Sequence, residues 1–77
     1  MQPTYVVSSN IDAVGYQHGE LVVRFRSGVS YAYAGVNRSV FLALTNAESV
    51  GQFFHRFVRS KYGYRKLDYD PFLKRAA

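Results

Sequence analysis

Apolar and polar side chains alternate through Leu21, Val22, Val23, Arg24, Phe25 and Arg26. At a period of two, Leu21, Val23 and Phe25 share one face of an extended segment and Val22, Arg24 and Arg26 the other. A second strand-like run, Val29, Ser30, Tyr31, Ala32 and Tyr33, follows directly after Ser27 and Gly28 and is expected to end near Gly35 and Val36. Upstream, Ile11, Ala13, Val14 and Tyr16 lie in a short extended stretch closed by the turn residues Gln17, His18 and Gly19. Three consecutive strands with short connections predict an antiparallel meander.

At Asn37 the period changes. An Asn there can cap the free amides of a helix over residues 38 to about 46, with Val40, Phe41 and Leu44 on its inner side. The next helix has a stronger start, because Ser49, Val50, Gly51 and Gln52 fit a capping box in which the Ser hydroxyl and the Gln side chain each satisfy a backbone donor. Val50, Phe53, Phe54, Phe57 and Val58 then fall at i, i+3, i+4, i+7 and i+8, a continuous apolar stripe that needs a sheet to cover. Gln52, His55, Arg56 and Arg59 occupy the opposite side, with Lys61 near, and Gly63 is placed to end the helix in a left-handed turn. The fold class expected is therefore α+β: a three-stranded antiparallel β-meander packed on one face by two C-terminal α-helices. Residues 1–7 read as a lead-in, 8–63 as the domain, and 64–77 as a basic, aromatic tail anchored by Phe72 and Leu73 and otherwise mobile.

The turn at Ser27 and Gly28 decides where the two tyrosines point. A two-residue turn sets Arg26 opposite Val29 and Val22 opposite Tyr33, which puts Tyr31 and Tyr33 on the outer face beside Arg24 and Arg26, where bases could stack on the rings. A three-residue turn of Arg26, Ser27 and a left-handed Gly28 sets Phe25 opposite Val29 and Val23 opposite Tyr31, and the rings then face the core. Both turns suit Gly28. Core filling favours the second, because the first leaves only Ser30, Ala32 and Ala34 under the helices.

Composition narrows the function classes. A chain of 77 residues has room for one domain, and six Phe and seven Tyr supply the dense apolar area that so small a core requires. There is no Cys, which removes disulfides and thiolate metal sites and makes a reducing cytosol the expected compartment. The longest apolar run, residues 40–44, is far short of the roughly 18–20 residues of a membrane span, and Met1, Gln2, Pro3 and Thr4 lack the pattern of a signal peptide. The formal charge is +5. It is uneven: in residues 1–36 Arg24 and Arg26 balance Asp12 and Glu20, whereas Arg38, Arg56, Arg59, Lys61, Arg65, Lys66, Lys74 and Arg75 face only Glu48, Asp68 and Asp70 beyond. Such an excess on one half points to an anionic partner, most often nucleic acid, or to a solvated face.

Several stretches together resemble the KTSC domain, named for the C-terminal extension of certain lysyl-tRNA synthetases and found also as small free-standing bacterial and phage proteins. They are Ser9, Asn10 and Ile11 through Gly15 and Tyr16; residues 21–25 with Gly28; Tyr31, Ala32 and Tyr33 with Val36; and residues 47–51 followed by Phe53, Phe54 and Arg59. The likeness covers roughly residues 8 to 62 and centres on the Tyr-X-Tyr element. Asn37 stands where a Pro is expected, which bears only on the entry to the first helix. The resemblance implies an RNA-binding role inferred from the tRNA-synthetase context, with no established activity.

The residues expected to contact RNA phosphates are Arg56, Arg59, Lys61, Arg65 and Lys66, with His55 assisting; Tyr31, Tyr33, Arg24 and Arg26 form a secondary set. Free amides near Ser49, Val50 and Gly51 could hold a phosphate, but Gly51 more simply permits the two helices to pack closely. His18 in a turn and His55 on a basic face have no Cys or carboxylate at a spacing that would orient either as a base, and no residues group as metal ligands, so no catalytic, metal or cofactor site is expected. The partners expected are an RNA or, as a rival, a protein bound at the outer sheet face (Val22, Arg24) or a strand edge; no membrane or small-molecule substrate is expected.

Overall fold

The structure, a computed structural model, describes residues 1–73. It is α+β, as expected, but its sheet has five strands rather than three. β1 (Thr4–Tyr5), β2 (Ile11–Gln17), β3 (Glu20–Phe25), β4 (Ser30–Tyr33) and β5 (Tyr64–Leu67) pair antiparallel in chain order, with α1 (Arg38–Thr45) and α2 (Val50–Phe57) inserted between β4 and β5. The expected meander is β2 to β4. The lead-in adds β1 at one edge, and residues 64–67, read as tail, pair with β4 so that Tyr64 lies opposite Tyr33 and Lys66 opposite Tyr31. Alternating charged and aromatic side chains hid β5, because an edge strand that is exposed along most of its length has no apolar face to announce it. Lys74 and Arg75, counted with the basic tail, lie outside the described residues.

The β3–β4 hairpin adopts the three-residue turn. The Phe25 amide donates to the Val29 carbonyl at 2.9 Å, the Gly28 amide donates to the Phe25 carbonyl at 2.9 Å, and Gly28 has φ of +96°, which a side chain would resist. Val23 is thereby opposite Tyr31 and Leu21 opposite Tyr33, so both tyrosines face the helices. The β2–β3 hairpin turns tightly through His18 and Gly19, both at positive φ. A bulge in β2 between Ile11 and Ala13 places Asp12 and Ala13 on the side away from the helices while Ile11 and Val14 stay inside.

Beneath the helices, Ile11, Val14, Leu21, Val23, Tyr33 and Val36 from the sheet side meet Leu44 of α1 and Val50, Phe54 and Val58 of α2. Val40 and Phe41 pack against this core, with Phe41 stacked on Tyr16, whose hydroxyl donates to the Val36 carbonyl. Three local expectations are corrected. Asn37 is the N-cap of α1 but makes no side-chain capping bond; its φ of −69° is the value a proline would impose, so the helix entry is intact. The Ser49 hydroxyl does accept from the Gln52 amide at 3.3 Å, while α2 stops at Phe57, where the amides of Val58 and Arg59 both donate to the Phe54 carbonyl. Gly63 thus lies well past the helix end, without positive φ. That early stop also decides Phe57. Val50, Phe54 and Val58 carry the buried line, and Phe57 lies on its flank, 48% exposed and packed on Phe53 with ring centroids 4.8 Å apart.

Candidate nucleic-acid interface

The face of the sheet opposite the helices is closed by the chain beyond β5. Phe72 packs there with Ala13, Val22, Ala32 and Leu67, forming a second small core. Gly15 lies beneath it, so close that a Cβ would sit 2.8 Å from the Phe72 ring and 2.7 Å from the Met1 sulfur. Arg24 fixes this segment. Its guanidinium donates to the Asp12 carboxylate at 2.6 Å and to both oxygens of Asp70 at 2.9 and 3.1 Å, and lies 5.3 Å from the centre of the Phe72 ring. Burial works against the charge on Arg24, but the hydrogen bonds and charges of Asp12 and Asp70 outweigh it and its pKa is raised. The Asp70 carboxylate also accepts from the Phe72 amide, turning the chain onto the sheet. Farther along this face Arg65 pairs with Glu20. Residues 68–73 therefore do not form the loose tail expected, although of the two expected anchors only Phe72 serves; Leu73 is 74% exposed.

On the helix side, α2 leaves part of the sheet uncovered. A groove of about 780 Å³ runs between α2 and the β3–β4 hairpin. Its floor is aromatic, and the rings close a circuit: Phe25 against Tyr31, Tyr31 against Tyr64, Tyr64 against Tyr33, Tyr33 against Phe54, and Phe54 back against Phe25, with neighbouring centroids 5.4–5.9 Å apart. Most of these pairs are edge to face, the arrangement that ring quadrupoles favour. Burial and the neighbouring hydroxyls of Tyr31 and Tyr64 push the Tyr33 phenol above its ordinary pKa, with Arg59 pulling weakly the other way. Arg26, His55 and Arg59 line the groove, and among the described residues its lining contains no carboxylate.

The structure regroups the candidate residues. His55 and Arg59 from the first set meet Tyr31, Tyr33 and Arg26 from the second in this groove. Lys66 is not in its lining but is opposite Tyr31 in β5 and so shares that sheet face. Arg56 is exposed on the crest of α2 beside a second surface depression, and Lys61 is exposed in the loop after the helix. Two candidates separate from the rest: Arg24 and Arg65 are on the opposite sheet face, engaged with carboxylates. Gly51 approaches the Ser8 hydroxyl and not α1. Sequence reading missed Tyr64, which closes the ring circuit and is 63% exposed; its one signal was aromatic character in a charged stretch.

A small antiparallel sheet with two helices on one face and a cationic, aromatic groove between them defines the class of domain. The KTSC domain family matches residues 7–62, and the chain belongs to that family. The crystal structure of a KTSC domain protein from Yersinia pestis is similar, with a TM-score of 0.82 and 32% identity over 86% of this chain and 96% of that one. A protein from Tsukamurella paurometabola is 42% identical over 64 residues, 80% of this chain and 92% of that protein. The lysine–tRNA ligase of Trichormus variabilis is 43% identical over 47 residues, 61% of this chain, and that stretch is 8% of the ligase's length. No helix among the described residues is long and apolar enough to cross a membrane.

Proposed function

We propose that the protein is a non-catalytic RNA-binding module of the cytoplasm that engages tRNA-like phosphate backbones through the side of the molecule carrying α2. The observation that carries this reading is the segregation of charge. Three of the five carboxylates, Asp12, Glu20 and Asp70, are held in ion pairs on the far side of the sheet. Arg26, Arg56, Arg59, Lys61 and Lys66 are left to present their charge around the groove and the crest of α2, with the His55 ring beside them, a field suited to a polyanion. Arg65 drops out of the contact set because it already serves Glu20. Similarity to part of a lysine–tRNA ligase supports tRNA as the first RNA to try.

Fluorescence anisotropy against labelled tRNA and an unrelated RNA, across a salt series, tests the reading. Binding should weaken as salt rises, and the double variant Arg56→Glu, Arg59→Glu should bind much more weakly. Its salt dependence should also be shallower, by about 0.7–0.9 in the log–log slope for each phosphate that is no longer neutralised. No binding at low salt, or binding indifferent to both charge reversals, refutes it. For the rival reading, a protein-interaction module, the outer sheet face at Val22 is covered by Phe72 and the sheet edges remain: β1 and β5 are the outermost strands, neither paired on its outer side among the described residues, and β5 is the longer edge to offer a partner strand. A protein partner retained from nuclease-treated lysate by wild type, and absent once that edge is broken with a proline in β5, would favour it.

A further inference from the structure

We propose that the groove between α2 and the β3–β4 hairpin is a site for an unpaired nucleotide, with the Tyr64 ring as the stacking platform and Arg26 and Arg59 as the phosphate contacts. The inference rests on the RNA-binding reading and names the part of an RNA that this site takes. Three observations carry it. First, Tyr64 is the most open ring of the circuit: Tyr33 and Phe54 are buried, Phe25 and Tyr31 half-buried, and Tyr64 exposed. Tyr33 is 4% exposed and its ring is enclosed by Phe54 and Tyr64, whereas Tyr64 gives its inner side to Tyr31 and Tyr33 and remains 63% exposed at the groove. A solvent-facing ring held in place by two others has already lost its freedom, so a base that stacks on it costs little additional ordering.

Second, the charges at the groove have one sign. Arg26 and Arg59 enter it from opposite walls, the hairpin and the chain just past α2, with no carboxylate in the lining among the described residues. Arg26 is further positioned by donating from Nε to the Ser8 carbonyl at 2.7 Å, which leaves its terminal nitrogens for an anion. Third, the size fits. At about 780 Å³ the groove is in the range of sites that hold one small ligand. An RNA duplex keeps its bases stacked inside and offers this groove only phosphates and sugars, so an aromatic floor is of use only to a base that is out of a helix, in a loop or at a 3′ or 5′ end.

The test is anisotropy with two labelled probes at about 50 mM salt, where electrostatic binding is strong: a short oligoadenylate and a blunt-ended RNA duplex of the same strand length, with a third arm in which polyglutamate competes with the oligoadenylate. The variants are Tyr64→Leu, which keeps apolar bulk against Tyr31 and Tyr33 while removing the aromatic face, and Tyr64→Phe, which keeps the face. The single strand should bind more tightly than the duplex. Tyr64→Leu should lower single-strand affinity about five- to a hundredfold, the range for removing one base–aromatic stack, with little change for the duplex, and Tyr64→Phe should restore it. Retained circular dichroism and thermal midpoint in Tyr64→Leu exclude misfolding. Equal affinity for strand and duplex, an unchanged single-strand affinity in Tyr64→Leu, or displacement by polyglutamate as readily in wild type as in Tyr64→Leu overturns the inference while leaving the RNA-binding reading intact. Failure of wild type to bind any of the RNAs at this salt removes both.

Discussion

Phe72→Ala measures how far the segment after β5 belongs to the fold. The ring is 7% exposed and covers Ala13, Val22 and Ala32, side chains too short to shield one another, with Gly15 directly beneath. Removing about 150 Å² of buried ring at about 25 cal/mol per Å² corresponds to about 4 kcal/mol, an upper figure because the segment can settle into part of the space. About 2–3 kcal/mol is a fair expectation after that relaxation, against a total stability of about 4–12 kcal/mol for a chain of this size. With a urea m-value of about 1 kcal/mol/M, the midpoint of urea unfolding followed by far-ultraviolet circular dichroism should fall by about 2–3 M at constant slope. Leu73→Ala, one residue on and 74% exposed, is the control and should shift stability by less than about 0.5 kcal/mol. A midpoint for Phe72→Ala within about 0.5 M of wild type would refute the reasoning, because it would mean that the sheet does not depend on this cover.

Two further predictions concern the β3–β4 hairpin and its tyrosines. The Tyr33 phenol has a pKa raised by burial, so the folded state holds its proton more tightly than the unfolded chain does; the associated stability is complete below pH about 10 and is lost as pH climbs through the higher folded value. Thermal midpoints recorded from pH 8 to 11 should therefore decline more steeply for wild type than for Tyr33→Phe, and parallel curves would contradict the assignment. Gly28→Ala meets no steric obstacle, since nothing lies within 4 Å of the added Cβ, but φ of +96° should cost about 1–2 kcal/mol in chemical denaturation; a neutral result would argue against the left-handed bulge.

Taken by itself, the sequence determined the elements that bury a face. Alternation at Leu21, Val23 and Phe25 located β3, the spacing of Val50, Phe54 and Val58 located α2, and core filling selected the register that turns Tyr31 and Tyr33 inward, because each is a local pattern forced by the need to hide apolar area. It also located Arg56 on the exposed side of α2, a position that follows from the helical period alone. Only the tertiary structure decided the rest. Whether Tyr64 is tail or strand depends on the free edge of β4, formed far earlier in the chain. Whether Arg24 is free or paired depends on Asp12, re-aimed by a bulge, and on Asp70, delivered by the turn onto Phe72. The division of charge, with Asp12, Glu20 and Asp70 paired to Arg24 and Arg65 behind the sheet and Arg26 and Arg59 at the groove in front, is a property of which segments meet, and meetings between residues distant in the chain leave no period in the sequence.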